Sequence, residues 1–146
     1  MTGFGRQKGV TLVEVLVVMI VLAISLAVTV PSVGQSYDNW QLRSTGRRAA
    51  AMFRSASGMA RRKGSEIAGY YAERKLVLIQ QGKTLNALDI PTSITTRPEK
   101  PQAVMFLPSG QIISSEPFVF ANERGRSVVI EFGPLPGDVR YREERR

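Results

Sequence analysis

The sequence predicts an α+β protein, with one long N-terminal helix packed on a small C-terminal antiparallel β-sheet head. Three observations predict it. Val15 to Tyr37 carries no charged residue, and Val15 to Val33 is almost wholly apolar. From Gln35 to Lys63 there is no Pro, and apolar residues recur three and four apart. After Lys63-Gly64, short β-prone runs alternate with turn residues.

Composition removes most catalytic chemistry from consideration. The 146 residues hold no Cys and no His. Disulfides, thiolate nucleophiles, imidazole metal ligands and Ser-His relays are therefore excluded, and neither a metal nor a cofactor is expected. Lys and Arg total 20 against 12 acids, for a net charge of +8. All the acids follow residue 9, so removing residues 1–9 takes away only Arg6 and Lys8 and leaves +6.

The apolar run comes first in the chain. Its 19 residues make a helix of about 28 Å, close to the ~30 Å hydrocarbon core of a bilayer. Arg6 and Lys8 before it favour a cytoplasmic N-terminus, so a single-pass helix with the head outside the cytoplasm is expected. The competing reading is a cleaved secretory signal, with Ser25-Leu26-Ala27 as a weak cleavage site. Such signals use apolar stretches of about 7–15 residues, shorter than this one. Glu14 fits neither plain reading. A carboxylate costs about 2.5–3.5 kcal/mol at the centre of a membrane helix and less near an end, and it marks a functional site by default. The alternatives are a Glu close enough to the interface to reach water and a Glu met by a cation of another chain.

Gly9-Val10-Thr11-Leu12-Val13-Glu14, after a short basic leader and before the apolar run, resembles the type III signal of type IV pilins and type II secretion pseudopilins. The resemblance implies a leader of residues 1–9 removed by a prepilin peptidase between Gly9 and Val10, with N-methylation of Val10. It places Glu14 fifth after the cut, where that superfamily pairs a Glu with the free amine of a neighbouring subunit. It also places Pro31 where many members carry a helix-kinking Pro. The physics is compatible. Opposite charges attract strongly in low dielectric, and Pro removes a helical hydrogen bond. Val10 departs from the commoner Phe after the cut.

The helical pattern continues past residues 10–33 into an amphipathic stretch over residues 34–63, for a helix of about 80 Å in all. Ala49, Met52, Phe53, Ala56, Met59 and Ala60 form one apolar face, expected to lie against the head. Arg43, Arg47, Arg54 and Arg61 share a different face, and Asp38 is the only acid between Gln35 and Lys63. That arginine face reads by default as solvated. The alternatives are acidic surfaces of neighbouring subunits and phosphate of nucleic acid or lipid. Lipid is the weakest of these, because the stripe starts about ten residues (~15 Å) past the apolar segment.

In the head, residues 64–146, Gly64 is expected to cap the helix. Strands are expected at Ile67 to Ala72, Lys75 to Gln80, Ala103 to Leu107, Gln111 to Ile113, Pro117 to Ala121 and Ser127 to Phe132. Glu73-Arg74, Gln81-Gly82-Lys83, Pro108-Ser109-Gly110 and residues 133–137 read as turns. Ala87 to Pro101, with three Pro, reads as a surface loop. Gly82-Lys83-Thr84 imitates the end of a phosphate-binding loop, but the first Gly of that motif would fall on Val77, so a hairpin turn explains it better. About 80 residues make a small core, expected to borrow the helix face as one wall.

Leu88-Asp89-Ile90-Pro91, then Val104 to Gly110, then the Val/Ile strand leading to Gly137 and Arg140, is similar to the GspH/FimT family, as is Ala60-Arg61-Arg62 at the helix end. The resemblance implies a pilin-like fold without catalysis. It implies a minor pseudopilin of a type II secretion pseudopilus, inserted in the bacterial inner membrane with its head in the periplasm. Its implied partners are other pseudopilins, the prepilin peptidase and the inner-membrane assembly platform. The rival reading is a type IV minor pilin of the FimT kind, acting in pilus assembly or DNA uptake. Arg outnumbers Lys 15 to 5, which suits phosphate contact. DNA-binding members resemble one another in a Gly-Arg-x-Arg element. Here Gly137-Asp138-Val139-Arg140-Tyr141-Arg142 stands in its place, with Asp138 for the first Arg, so local salt bridges to Arg140 and Arg142 are the competing explanation. A membrane-anchored enzyme has least support, since Glu66, Glu73 and Glu131 form no recognisable pair.

Overall fold

The computed structural model describes residues 11–97 and 101–145, without the side chains of residues 28–35. One helix, α1 (Leu12–Lys63), precedes nine strands: β1 (Ile67–Ala72), β2 (Lys75–Gln80), β3 (Lys83–Asp89), β4 (Ile94–Arg97), β5 (Gln102–Phe106), β6 (Ile112–Ser114), β7 (Phe118–Asn122), β8 (Arg126–Phe132) and β9 (Val139–Arg145). The chain divides into two units, Met1–Tyr37 and Asp38–Arg146. The second half of the helix thus belongs with the head.

In the first unit, Thr11 starts the helix. Its Oγ1 accepts the Glu14 amide at 3.2 Å and its carbonyl accepts the Val15 amide at 3.2 Å. Thr11 and Glu14 stand at the first and last positions of a capping-box pattern, which supplies a first-turn amide with an acceptor. Every large apolar side chain from Leu12 to Leu26 is at least half exposed. Among the described residues no helix is long and apolar enough to cross a membrane.

The second unit has two antiparallel sheets. One has the order β3-β2-β1-β5-β6 and the other β4-β7-β8-β9. Helix α1 ends where expected, with Gly64 at φ +63° taking the left-handed cap. Glu73-Arg74 (φ 48° and 62°) and Gln81-Gly82 (φ 50° and 76°) close the β1–β2 and β2–β3 hairpins with positive φ at both central residues, the twist that two-residue hairpins favour. Gly82-Lys83 is thereby a hairpin turn.

Two expectations need correction. Ala87 to Pro101 is not a loop throughout, because β3 runs to Asp89 and β4 occupies Ile94–Arg97. Arg74 explains how this segment is held. Its guanidinium donates to the carbonyls of Pro91 and, at 2.7 Å, Ile94, while its own carbonyl accepts the Ile90 amide at 2.8 Å. The β3 stretch is largely exposed, so it lacks an apolar alternation to read. The second correction is β9, a strand along all of Val139–Arg145, where no strand was expected.

The predicted helix face is the wall of the core. Ala49, Phe53, Ala56 and Ala60 are fully buried, Met52 nearly so, and Met59 packs at the margin. The Phe53 ring lies 5.8 Å from Phe106 of the first sheet, and 5.2 Å from Phe118 and 5.3 Å from Phe132 of the second. Tyr71 and Thr96 share a buried hydrogen bond that also joins the sheets.

Two helix glycines differ in a way that predicts opposite outcomes. A Cβ on Gly46 would lie 2.6 Å from Val128 Cγ1, whereas one on Gly58 meets nothing within 4 Å. Helix propensity alone favours Ala over Gly by about 1 kcal/mol, and overpacking costs about 1–3 kcal/mol. Gly58→Ala is expected to raise stability by up to ~1 kcal/mol and Gly46→Ala to lower it by about 1–2 kcal/mol. Adding Val128→Ala should recover part of the Gly46→Ala loss in a double-mutant cycle measured by denaturant unfolding. Equal effects at both glycines would refute the close approach.

Candidate functional site

Two groups of sequence-predicted residues can be placed. Gly9 and Val10 lie outside the described residues. Glu14 sits in the first turn of α1, and Pro31 lies within the helix, its side chain outside the description. Glu14 and the arginines fall in different units, so each is described by itself.

The arginine face of α1 is not simply solvated. It runs along β9, and the pairing proceeds in opposite directions along the two elements. Arg54 Nη2 donates to the Val139 carbonyl at 3.0 Å. A Cβ on Gly46 would stand 3.2 Å from the Tyr141 ring. Arg43 Nε lies 2.9 Å from the Glu143 carboxylate, with Arg47 Nη2 at 4.0 Å from its other oxygen. Arg61, at the far end, packs its stem beside Gly110, whose positive φ of 88° lets the backbone pass there. Gly110 in turn accepts the Gly137 amide at 2.8 Å and the Ser57 hydroxyl at 3.4 Å, so the loop leading into β9 is tied to α1 as well. The side chains of Arg43 and Arg47 are 48% and 70% exposed, so each ion pair is worth only about 0–1 kcal/mol. Their effect is to fix the register of an edge strand.

Period-two alternation then decides the roles of the C-terminal charges. Val139, Tyr141 and Glu143 share the face toward the helix, and Arg140, Arg142 and Glu144 the other. Arg140 grips Asp138 through Nε and Nη2, at 3.1 and 2.8 Å to the same oxygen. That hydrogen bonding, then the nearby charge, raises the Arg140 guanidinium above its ordinary pKa. Arg142 Nη2 donates to both oxygens of Glu131 at 2.8 Å, and its Nε lies 3.9 Å from Glu144. Of the arginines put forward for nucleic-acid contact, the two on β9, Arg140 and Arg142, therefore have intramolecular carboxylates.

Asp138, Glu131, Tyr141 and Glu143 were not singled out as a set by sequence. The signal was present in the alternation Val-x-Tyr-x-Glu, but seven residues with five full charges of both signs give no clear strand pattern. Among the described residues no group of carboxylates could hold a metal ion.

Tyr141 donates to Glu143 at 2.9 Å. Burial first, and then this hydrogen bond, raises its pKa above the ordinary 10.0, with Arg47 opposing. A phenol whose folded-state pKa is raised adds stability that is complete below its unfolded value and is lost as pH rises through the folded one. The difference in tyrosinate absorbance between the parent and Tyr141→Phe should show one phenol ionising above the ordinary value. Stability should fall less steeply above about pH 10 in the variant. A difference curve centred at or below the ordinary value would contradict the half-buried, carboxylate-bonded hydroxyl.

Comparison with known proteins adds two findings. Residues 5–30 match the prokaryotic N-terminal methylation motif. Two crystal forms of the type IV minor pilin FimU of Pseudomonas aeruginosa (strain PAO1) are similar in structure. The P21 form gives a TM-score of 0.55 at 15% identity, over 71% of this chain and 90% of that one. The P65 form gives 0.52 at 16%, over 69% and 92%. No curated protein sequence matches the chain. The chain thus has a pilin-like fold, one long helix with antiparallel sheets, and carries at its N-terminus the methylation motif of type IV pilin-like proteins.

Proposed function

We propose that this chain is a structural subunit of a type IV pilin-like fibre, a minor pilin or pseudopilin, and not an enzyme. The observation that carries the proposal is the methylation motif over residues 5–30, joined to a pilin-like fold. In this reading a prepilin peptidase cuts between Gly9 and Val10 and Val10 is N-methylated. Residues 10–33 then cross the inner membrane and the head lies in the periplasm. Glu14 meets the new amine of a neighbouring subunit. No side chain from Val15 to Tyr37 carries a charge that could answer it. Pro31 bends the helix as it leaves the apolar segment.

The finer assignment is an H-type minor pseudopilin of type II secretion, supported by the head motifs similar to the GspH/FimT family. The second reading, a minor pilin of type IV pili, is favoured by the likeness to FimU, itself a type IV minor pilin. DNA capture through Arg140 and Arg142 is the weaker form of that second reading, because Asp138 and Glu131 already occupy those guanidiniums. Gene deletion separates the two machines. Loss of exported proteins with pili intact supports the pseudopilus, and loss of pili with export intact supports the pilus.

The fibre reading predicts that the membrane-extracted chain begins at methylated Val10 by mass spectrometry, in cells with an active prepilin peptidase. A chain still beginning at Met1 would overturn it. Glu14→Ala is expected to leave the head folded and to reduce cross-linking to partner subunits roughly tenfold or more, the scale of losing one buried charge pair. Cross-linking at parental yield would remove Glu14 from that role.

A further inference from the structure

The sequence of contacts between α1 and β9 ends in an unmatched place. Val139, Tyr141 and Glu143 each meet a helix residue, and the next position on the same face is Arg145. Its cross-strand partner on β8 is Arg126. Directly opposed residues of an antiparallel pair hold their Cβ atoms about 5 Å apart, and like charges there are destabilising. Arg126 is half-buried. No described carboxylate pairs with either guanidinium, among the ion pairs of the described residues.

These two arginines and Arg43 line a cleft of about 340 Å³ with Asn39, Glu143 and Glu144. Both carboxylates already have partners. Glu143 is held by Arg43 and by the Tyr141 hydroxyl, and Glu144 lies 3.9 Å from Arg142. What remains is a pair of arginines at directly opposed positions of β8 and β9, with Arg43, itself paired with Glu143, at the wall. Planar N–H forks in that arrangement suit a tetrahedral oxyanion bound by several charge-assisted hydrogen bonds.

We propose that Arg126 and Arg145, with Arg43 beside them, form a phosphate-binding site at the end of β9. The phosphate is either a free anion or the headgroup of a phospholipid. The cleft includes Asn39, only six residues after Val33 in the chain. The lipid source rests on the proposed membrane anchorage of residues 10–33; the phosphate site does not. The structure brings Arg126 and Arg145 from the far end of the sequence to the start of the second unit's helix. An arginine face counted along α1 alone could not show this.

The test uses the full chain in a neutral detergent, with inorganic phosphate as the probe and chloride at equal ionic strength as the reference. Half-saturation on the order of 1 mM is expected, raising the Tm by about 5 °C at 20-fold excess. Arg126→Gln with Arg145→Gln should abolish that increment, apart from the general salting effect that both proteins share. Arg145→Glu should raise the Tm by ~3 °C without phosphate, by relieving the like-charge pair, and should lose the response to phosphate. An equal response in the parent and the double variant overturns the site. A measurement on the parent alone keeps the proposal testable should a variant fold poorly: the Nε resonances of Arg126 and Arg145 must shift with phosphate, and unmoved resonances overturn it. In nanodiscs, shifts with phosphatidylglycerol but not with a phosphate-free galactolipid identify the lipid headgroup as a source. Shifts with inorganic phosphate alone reject that source and retain the anion site. Failure of the N-terminal processing test would sink the fibre reading and leave the phosphate measurement in detergent unaffected.

Discussion

Phe53 is the side chain on which the second unit converges. It projects from the helix against Phe106 of one sheet and against Phe118 and Phe132 of the other, with ring centroids 5.2–5.8 Å away. Neither sheet is large, and each needs an apolar wall for its inner face. A shared wall solves both problems, and tilted or edge-on rings add ~0.5–1.5 kcal/mol per pair beyond area burial. Ala49, Ala56 and Ala60, all fully buried, let the sheets approach the helix closely around that ring. The polar links follow the same plan. The Tyr71–Thr96 hydrogen bond and the Arg74 guanidinium both cross from the first sheet's elements to β4 or the chain leading into it.

The legible parts of this chain are those in which a residue's partner type is implied by its own sequence neighbours. The helix face was legible because Ala49 to Ala60 repeats at helical spacing, and the Gly64 cap because a glycine closes the last turn. Glu14 stands out in the sequence because a single carboxylate precedes an uncharged run, and its role is a proposal. The β9 strand was not, since its cohesion comes from β8 and from helix residues about 100 positions earlier, through Arg43–Glu143 and Arg54–Val139. The arginine face was visible but its role was not, because the groups that meet it, the Glu143 carboxylate and the Val139 carbonyl, lie on β9. Arg74 was hidden for a similar reason. Its work is done at a positive φ, on carbonyls of a segment whose three prolines suggested only a loop.

Charge pairing in this chain serves position more than strength. The bridges at Arg43, Arg140 and Arg142 are exposed enough that each adds little stability. Together they fix which residues of an edge strand face the helix. An unpaired edge is a liability that charged side chains and a fixed register reduce. The same pairing consumes the guanidiniums that looked most available for a polyanion. The basic excess of the sequence therefore overstates the free positive charge of the C-terminal strand, and Arg126 with Arg145 stand out because no carboxylate answers them.

The two units solve opposite solvation problems. Among the described residues, the buried core, from Leu42 to Val139, belongs to the second unit. The first unit's described apolar side chains, by contrast, are at least half exposed from Leu12 to Leu26. Covering a Val, Leu or Ile fully is worth about 1.5–3 kcal/mol, so a helix of this composition gains far more from lipid or from other apolar helices than from water. Thr11 caps its first turn and thereby relieves one of the amides that would otherwise be costly in such surroundings. Glu14 alone remains unreconciled with an apolar medium. In the proposed fibre, the contact that removes this conflict is also the contact that sets one subunit against the next, so solvation and assembly depend on a single charge.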